Sequence, residues 1–190
     1  MSAVALSDQF LTADQYLQLE RDAETRSEYV NGSVYAMAGG TRAHALLAGN
    51  FLAAVNGQLV GSPCEVYGAN MKVHIEKVNA FRYPDISALG GPALTYDEKD
   101  DVICNPNVIV EVLSKSTEAY DRGDKFALYR LLDSLAEYVL VSQDKVEVEV
   151  HRRVGPGKWA STLYNAKEDT FELTSVGCSV RLSDLYDKVI

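Results

Sequence analysis

Basic side chains are in short supply. Lys and Arg number 18 against 27 Asp and Glu, a net charge of −9. A field of that sign does not draw nucleic acid to the whole surface, which weakens the case for a non-specific DNA coat and does not exclude an enzyme that meets phosphates locally through a divalent metal. Cysteine is scarce as well. Cys64, Cys104 and Cys178 are far apart and form no C-x-x-C pair, so neither a disulfide framework nor a zinc cluster is expected, and free thiols fit a reducing cytoplasm. No apolar run approaches the roughly 20 residues that span a bilayer. The opening MSAVALSDQF has no basic n-region and no long apolar stretch, so a signal peptide is not expected. Walker A, G-x-G-x-x-G, H-E-x-x-H and G-x-S-x-G motifs are all missing.

What is present is an ordinary globular composition, 47% hydrophobic and 24% charged over 190 residues, enough to bury a core without disulfides or structural metal. One domain is expected over 1–190, with 1–11 as a flexible N-terminal extension. Thr12 and Gln15 form a capping box for a helix to about Asp22, with Tyr16, Leu17 and Leu19 toward its apolar side. Asn31-Gly32 between β-prone runs predicts a hairpin over 28–35. Gly39-Gly40-Thr41 should end that strand and cap a helix from Arg42 to about Leu59, whose apolar residues follow helical spacing. Short strands are expected at 64–67, 71–75 and 82–89, then a loop over 90–105 that carries Asp97, Glu98, Asp100 and Asp101. The β-branched run 107–113 predicts a central strand. A polar turn at 114–117, a helix from about Ala119 to Asp133, strands at 137–142, 145–153 and 159–164, and a short helix near 183–187 complete a mixed α/β domain.

Two carboxylates stand out. Asp85 follows Tyr83-Pro84 and opens an apolar run, so it is either a turn residue beside proline or a ligand. Glu111 lies inside the most hydrophobic strand, where a carboxylate is costly unless paired, solvent-facing or metal-bound. Asp121 and Lys125, four apart on a predicted helix, either form a solvated pair or aim the Lys125 ammonium at the strand end that holds Glu111. In the second case Asp85, Glu111 and Lys125 make a hard-oxygen metal site with a neighbouring cation, suited to water attack on phosphorus. His44, His74 and His151 lie far apart without ligand spacing, and Ser114 and Ser116 lack a nearby His.

In their order and spacing, Glu28-Tyr29-x-x-Gly32, His44, Tyr83-Pro84-Asp85, Glu111-Val112-Leu113-Ser114-x-Ser116-Thr117, Asp121-x-x-x-Lys125, Tyr129 and Glu137-Tyr138 resemble the PD-(D/E)xK nuclease superfamily, and more closely its Uma-type family of proposed restriction endonucleases. The resemblance implies a restriction-endonuclease-like core, with a central mixed β-sheet of four to five strands flanked by helices on both sides. It also implies a Mg²⁺- or Mn²⁺-dependent DNA endonuclease. Asp85 and Glu111 would be the paired metal ligands, Glu28 an outer or additional acidic ligand, and Lys125 the catalytic lysine, displaced from strand to helix. His44 and Asp121 are possible additional site residues. Leu113 takes the place of the lysine in the strict triplet, Asn31 that of a usual Asp, and Lys115 that of a usual Pro. A homodimer and a cytoplasmic location fit this reading. The rivals are a catalytically degenerate binding module, and a structural protein in which Glu111 and Lys125 form a buried pair with Asp85 turned away.

Overall fold

The most apolar run of the chain becomes the middle of a sheet. The computed structural model describes residues 10–37 and 39–190. In chain order the elements are α1 (Ala13–Asp22), β1 (Ser27–Val30), β2 (Ser33–Ala36), α2 (Arg42–Leu59), β3 (Glu65–Gly68), β4 (Lys72–Ile75), β5 (Ala80–Arg82), β6 (Ile86–Leu89), β7 (Val102–Ile103), β8 (Val108–Leu113), α3 (Glu118–Tyr120), a π-helical turn (Asp121–Lys125), α4 (Phe126–Tyr129), β9 (Glu137–Ser142), β10 (Val148–Gly155), β11 (Lys158–Tyr164), β12 (Thr170–Leu173), β13 (Cys178–Arg181) and α5 (Leu182–Leu185). The expected single sheet of four to five strands is instead a six-stranded sheet, β11-β10-β9-β8-β6-β3, and a five-stranded one, β2-β1-β5-β4-β7, with β12 and β13 as a separate pair. The class is mixed α/β, as expected: β8 runs parallel to β9 and antiparallel to β6.

All six residues of β8 are buried, and the period of two along a strand divides them between two cores. Val108, Val110 and Val112 pack with Leu47, Phe51, Val55 and Leu59 of α2. Ile109 and Leu113 pack with Phe126 and Tyr129 of α4 and Tyr138 of β9. Glu111 therefore points to the face covered by the 118–129 helical segment. A third core joins Tyr16 and Leu17 of α1 to Tyr29, Phe81 and Val102.

Local signals hold at several points. Thr12 and Gln15 make the reciprocal capping box. Asn31 and Gly32 turn the hairpin with φ of 42° and 98°, and Thr41 caps α2 by accepting the His44 N–H. Other expectations need correction. Leu19 is 60% exposed, whereas Glu20 is buried because its carboxylate accepts from the Ser27 N–H and hydroxyl and from the Tyr83 hydroxyl. The predicted strand 82–89 is two strands in two sheets, interrupted at Tyr83-Pro84-Asp85, where Pro84 has no N–H for a ladder. The helix expected to reach Asp133 ends at Tyr129; beyond it the carbonyls of Arg130, Leu132 and Leu135 accept from the Arg153 guanidinium. The acidic 90–105 segment is tied down by Arg21 on Asp97 and Asp101 and by Lys72 on Asp101, and it contributes β7. β12 and β13 form a hairpin where the sequence reading expects no strand, although β12 alternates exposed and buried residues. Of the extension expected at 1–11, residues 1–9 lie outside the described residues, while Leu11 is bonded to the hairpin at Gly32. The three cysteines are free thiols, and no helix among the described residues is long and apolar enough to cross a membrane.

Candidate active site

The break between β5 and β6 is where the charged residues gather. Ile86 pairs with Val110 across the antiparallel ladder, so one step back along β6 brings Asp85 to the level of Glu111 on the adjacent strand. Asp85 is fixed there by its own acceptor atom: Oδ2 takes the Val112 N–H at 2.7 Å and lies 3.1 Å from His44 Nε2 on α2. Glu111 is 3% exposed. Its Oε1 is 2.7 Å from Lys125 Nζ, and the same ammonium is 3.8 Å from Asp121 Oδ1.

The π-helical turn decides which way Lys125 faces. A π-turn widens the helix by one residue, and here both Asp121 and Lys125 are buried on its inner side. The i,i+4 pair that could have been a solvated one is thus an interior pair aimed at β8. Thr117 and Tyr138 hold the turn: Thr117 bonds the Asp121 carboxyl, and the Tyr138 hydroxyl donates to the Asp121 carbonyl at 2.9 Å.

Glu28, on β1, reaches the same place from the five-stranded sheet. Its Oε1 accepts the Tyr83 N–H at 3.1 Å, and its Oε2 is bonded by Arg82, which also donates to the Tyr120 hydroxyl at 2.8 Å. Both Glu28 oxygens are therefore engaged. Arg82 and Tyr120 carry no recognisable signal in the sequence beyond the nearness of Arg82 to Tyr83-Pro84-Asp85. His74 and His151 stand apart, stacked on Phe81 and leaning on Phe126.

The electrostatics follow from this crowding. Burial, first of all, pushes the Glu111 carboxyl well above its usual range; Lys125 opposes the shift, and Asp85 and Asp121 add to it. Burial likewise raises Asp121, against Lys125. For Lys125, burial alone would lower the pKa, but Glu111, Glu28 and Asp121 together outweigh it and the net direction is up, so the ammonium stays charged. The hydrogen bond to Asp85 raises His44 against the opposing effect of burial.

Four buried side-chain polar atoms among the described residues lack a hydrogen-bond partner: Arg82 Nε, Ser87 Oγ, Glu111 Oε1 and Tyr129 Oη. All belong to this cluster or its margin; Ser87 lies opposite Ile109, beside Glu111, and Tyr129 feels the charges of Glu111 and Glu28. The contact that Glu111 Oε1 does have is the Lys125 ammonium at 2.7 Å. Buried polar atoms left this way call for water or an ion. No three His, Cys, Asp or Glu side chains among the described residues converge as a ready metal cage. Two carboxylates with hard oxygens nevertheless suit Mg²⁺, which keeps most of its waters.

Comparison with known proteins gives this arrangement its context. The family model described as "Putative restriction endonuclease", Uma2, matches residues 13–183. The chain belongs to the Uma2 family. Two uncharacterized proteins of Synechocystis resemble this Uma2 chain over most of their length. One is 36% identical over 177 residues, covering 93% of this chain and 91% of the relative. The other is 30% identical over 159 residues, covering 84% and 90%. The crystal structure of "a putative nuclease belonging to DUF820" from Anabaena variabilis superposes with a TM-score of 0.75 at 15% identity, over 95% of this chain and 99% of that one. At that identity it shows that the two share a fold. The six residues singled out from sequence, Glu28, His44, Asp85, Glu111, Asp121 and Lys125, thus meet within one family member at one break between sheets.

Proposed function

We propose that this Uma2 protein is a divalent-metal-dependent DNA endonuclease of the PD-(D/E)xK type. The observation that carries the proposal is Glu111: a carboxylate buried in a central strand, short of hydrogen bonds, with a charged lysine on one side and a second carboxylate, Asp85, at the break just before the adjacent strand. Asp85 and Glu111 would hold Mg²⁺ or Mn²⁺, with Glu28 behind them as an outer acidic partner. A cation bound there would supply Lewis-acid polarisation and an activated water for phosphodiester hydrolysis.

The chain's own residues do the rest. The Val112 N–H fixes Asp85 Oδ2, which leaves Oδ1 as the oxygen available for a ligand. Lys125, kept charged by Glu111, Glu28 and Asp121, stands where negative charge develops on a scissile phosphate and lowers its cost in a water-poor setting. The Asp121 carboxylate faces the same ammonium from the preceding turn, at 3.8 Å. With a net charge of −9, affinity for DNA depends on such local contacts.

Asp85 is not turned away, as a purely structural Glu111–Lys125 pair would have it. A non-catalytic binding module is the reading favoured by the ammonium already seated on Glu111. The two separate in one experiment: purified protein with supercoiled plasmid and Mn²⁺, its melting temperature followed with and without metal. Metal-induced stabilisation together with Mn²⁺-dependent nicking supports the endonuclease. Neither effect, across DNA and RNA substrates, overturns it in favour of the module.

A further inference from the structure

The start of α2 is built around one imidazole. Thr41 accepts the His44 N–H at 3.1 Å, and its hydroxyl lies 2.5 Å from Gln143 Oε1, just past the end of β9. This ties the first turn of α2 to the same end of the sheet that carries Glu111, since Leu113 of β8 pairs with Ser142 of β9. Gly40 leaves the ring room: a Cβ placed there would stand 3.0 Å from His44 Nδ1 and 3.2 Å from its Cγ, closer than side chains normally tolerate. The other nitrogen, Nε2, crosses to Asp85 Oδ2 at 3.1 Å, and the Val112 N–H binds that same oxygen at 2.7 Å. One oxygen of Asp85 is thereby held from two directions, by a helix on one side and the central strand on the other.

We infer that His44 is a positioning residue: it clamps Asp85 Oδ2 against the Val112 N–H so that Oδ1 is presented, in a fixed direction, to a hard divalent cation shared with Glu111. The inference rests on the endonuclease reading and assigns His44 a role outside the ligand set. The clamp matters because a carboxylate on a short connection after proline has free rotation about χ2. One backbone donor fixes where Oδ2 sits, and a second donor fixes the plane of the group. Partners that orient a ligand in this way are generally worth 10- to 100-fold in metal affinity or activity.

The test compares wild type with His44→Leu and His44→Gln, whose amide can still place a donor near the Nε2 position. Mn²⁺ affinity is measured by calorimetry, nicking of supercoiled plasmid by gel, and folding by circular dichroism and melting temperature without metal. In His44→Leu, Mn²⁺ affinity should weaken about 10- to 100-fold and nicking should fall in parallel at subsaturating Mn²⁺, with the metal-free fold retained. His44→Gln should recover most of the loss. If wild type binds Mn²⁺ and nicks, and His44→Leu matches it in affinity, the clamp is wrong while the endonuclease reading stands. A His44→Gln variant as weak as His44→Leu in a folded protein also overturns the clamp. If wild type neither binds Mn²⁺ nor nicks, the endonuclease reading fails and takes the clamp with it.

Discussion

Glu111 and Glu137 stand on neighbouring, parallel strands of one sheet, and solvent reaches neither: they are 3% and 1% exposed. Glu137 is saturated. The N–H and hydroxyl of Thr174 bond one oxygen at 2.9 and 3.2 Å, those of Ser175 bond the other at 3.2 and 2.6 Å, and Arg152 approaches at 3.4 Å. That carboxylate fastens the turn after β12 to the sheet and has no valence left for a ligand. Glu111 has a single ammonium against one oxygen and a second carboxylate for company. Equal burial thus conceals very unequal bonding. The number of donors a buried charge has found, more than its depth, separates a fastening from a site.

The comparison breaks most sharply at Glu111. Glu111→Gln should abolish Mn²⁺-induced stabilisation and lower plasmid nicking by about 10³-fold, and the metal-free melting temperature should fall, because the buried Lys125 ammonium loses the partner 2.7 Å away. A variant that still nicks would place the ligand elsewhere. Lys125→Met comes next. Viewed from sequence alone, the change would cost little stability. The buried pair at 2.7 Å now predicts a loss of about 3–5 kcal/mol at pH 7, because Glu111 is left buried and uncompensated, together with a fall in nicking of about 10²–10³-fold. The sign with pH follows from the raised Glu111 pKa. A group raised in the folded state favours folding while protonated, and that contribution disappears as pH rises through its folded value. The penalty in Lys125→Met should therefore shrink as pH is lowered from 7 toward 5 in urea titrations.

Glu137→Gln should part from Glu111→Gln in the metal readout: stability again falls, by about 2–4 kcal/mol through lost charge-assisted bonds, but Mn²⁺ affinity of the folded fraction stays the same. The smallest effect is expected at the acidic loop. The Arg21 guanidinium, against the opposing effect of burial and with help from Lys72, lowers the Asp101 pKa from 3.8 to about 2. That contribution is complete above about pH 4 and is lost as pH falls toward 2. Asp101→Asn should remove about 1–2 kcal/mol at neutral pH, discounted for solvent screening of a carboxylate 31% exposed, and should flatten the stability profile between pH 4 and 2.

Much of this was legible in the chain, for physical reasons that can be named. The β-branched 107–113 run has no stable place except inside a sheet, Asn31-Gly32 tolerates the positive φ of a tight hairpin, and the Thr12–Gln15 box satisfies its own helix end. The site could be read because a glutamate in such a strand demands a partner, and Lys125 lies within a helix's reach of it. What could not be read depends on contacts far apart in sequence. The division of 80–89 between two sheets comes from side chains standing in for ladder bonds: Glu28 takes the Tyr83 N–H and Asp85 takes the Val112 N–H. The burial of Glu20 in place of Leu19 needs Ser27 and Tyr83. Arg82, which bonds Glu28, and Tyr120, which accepts from Arg82, become visible only when β1, β5 and α3 are brought together. The early end of the helix is set by an arginine more than twenty residues away.

The widened turn at Asp121–Lys125 changes what a one-residue gap means in this part of the chain. The π-turn holds one residue more than a regular helix would place between its flanking turns, so deleting Gly123 would let the segment close to regular helix, with Phe126 and Tyr129 still seated in the core. Asp121 and Lys125 would then stand three apart in place of four, on the same face as before. A relative without the extra residue would carry its aspartate one place nearer the lysine, and counting four back would land on the wrong residue.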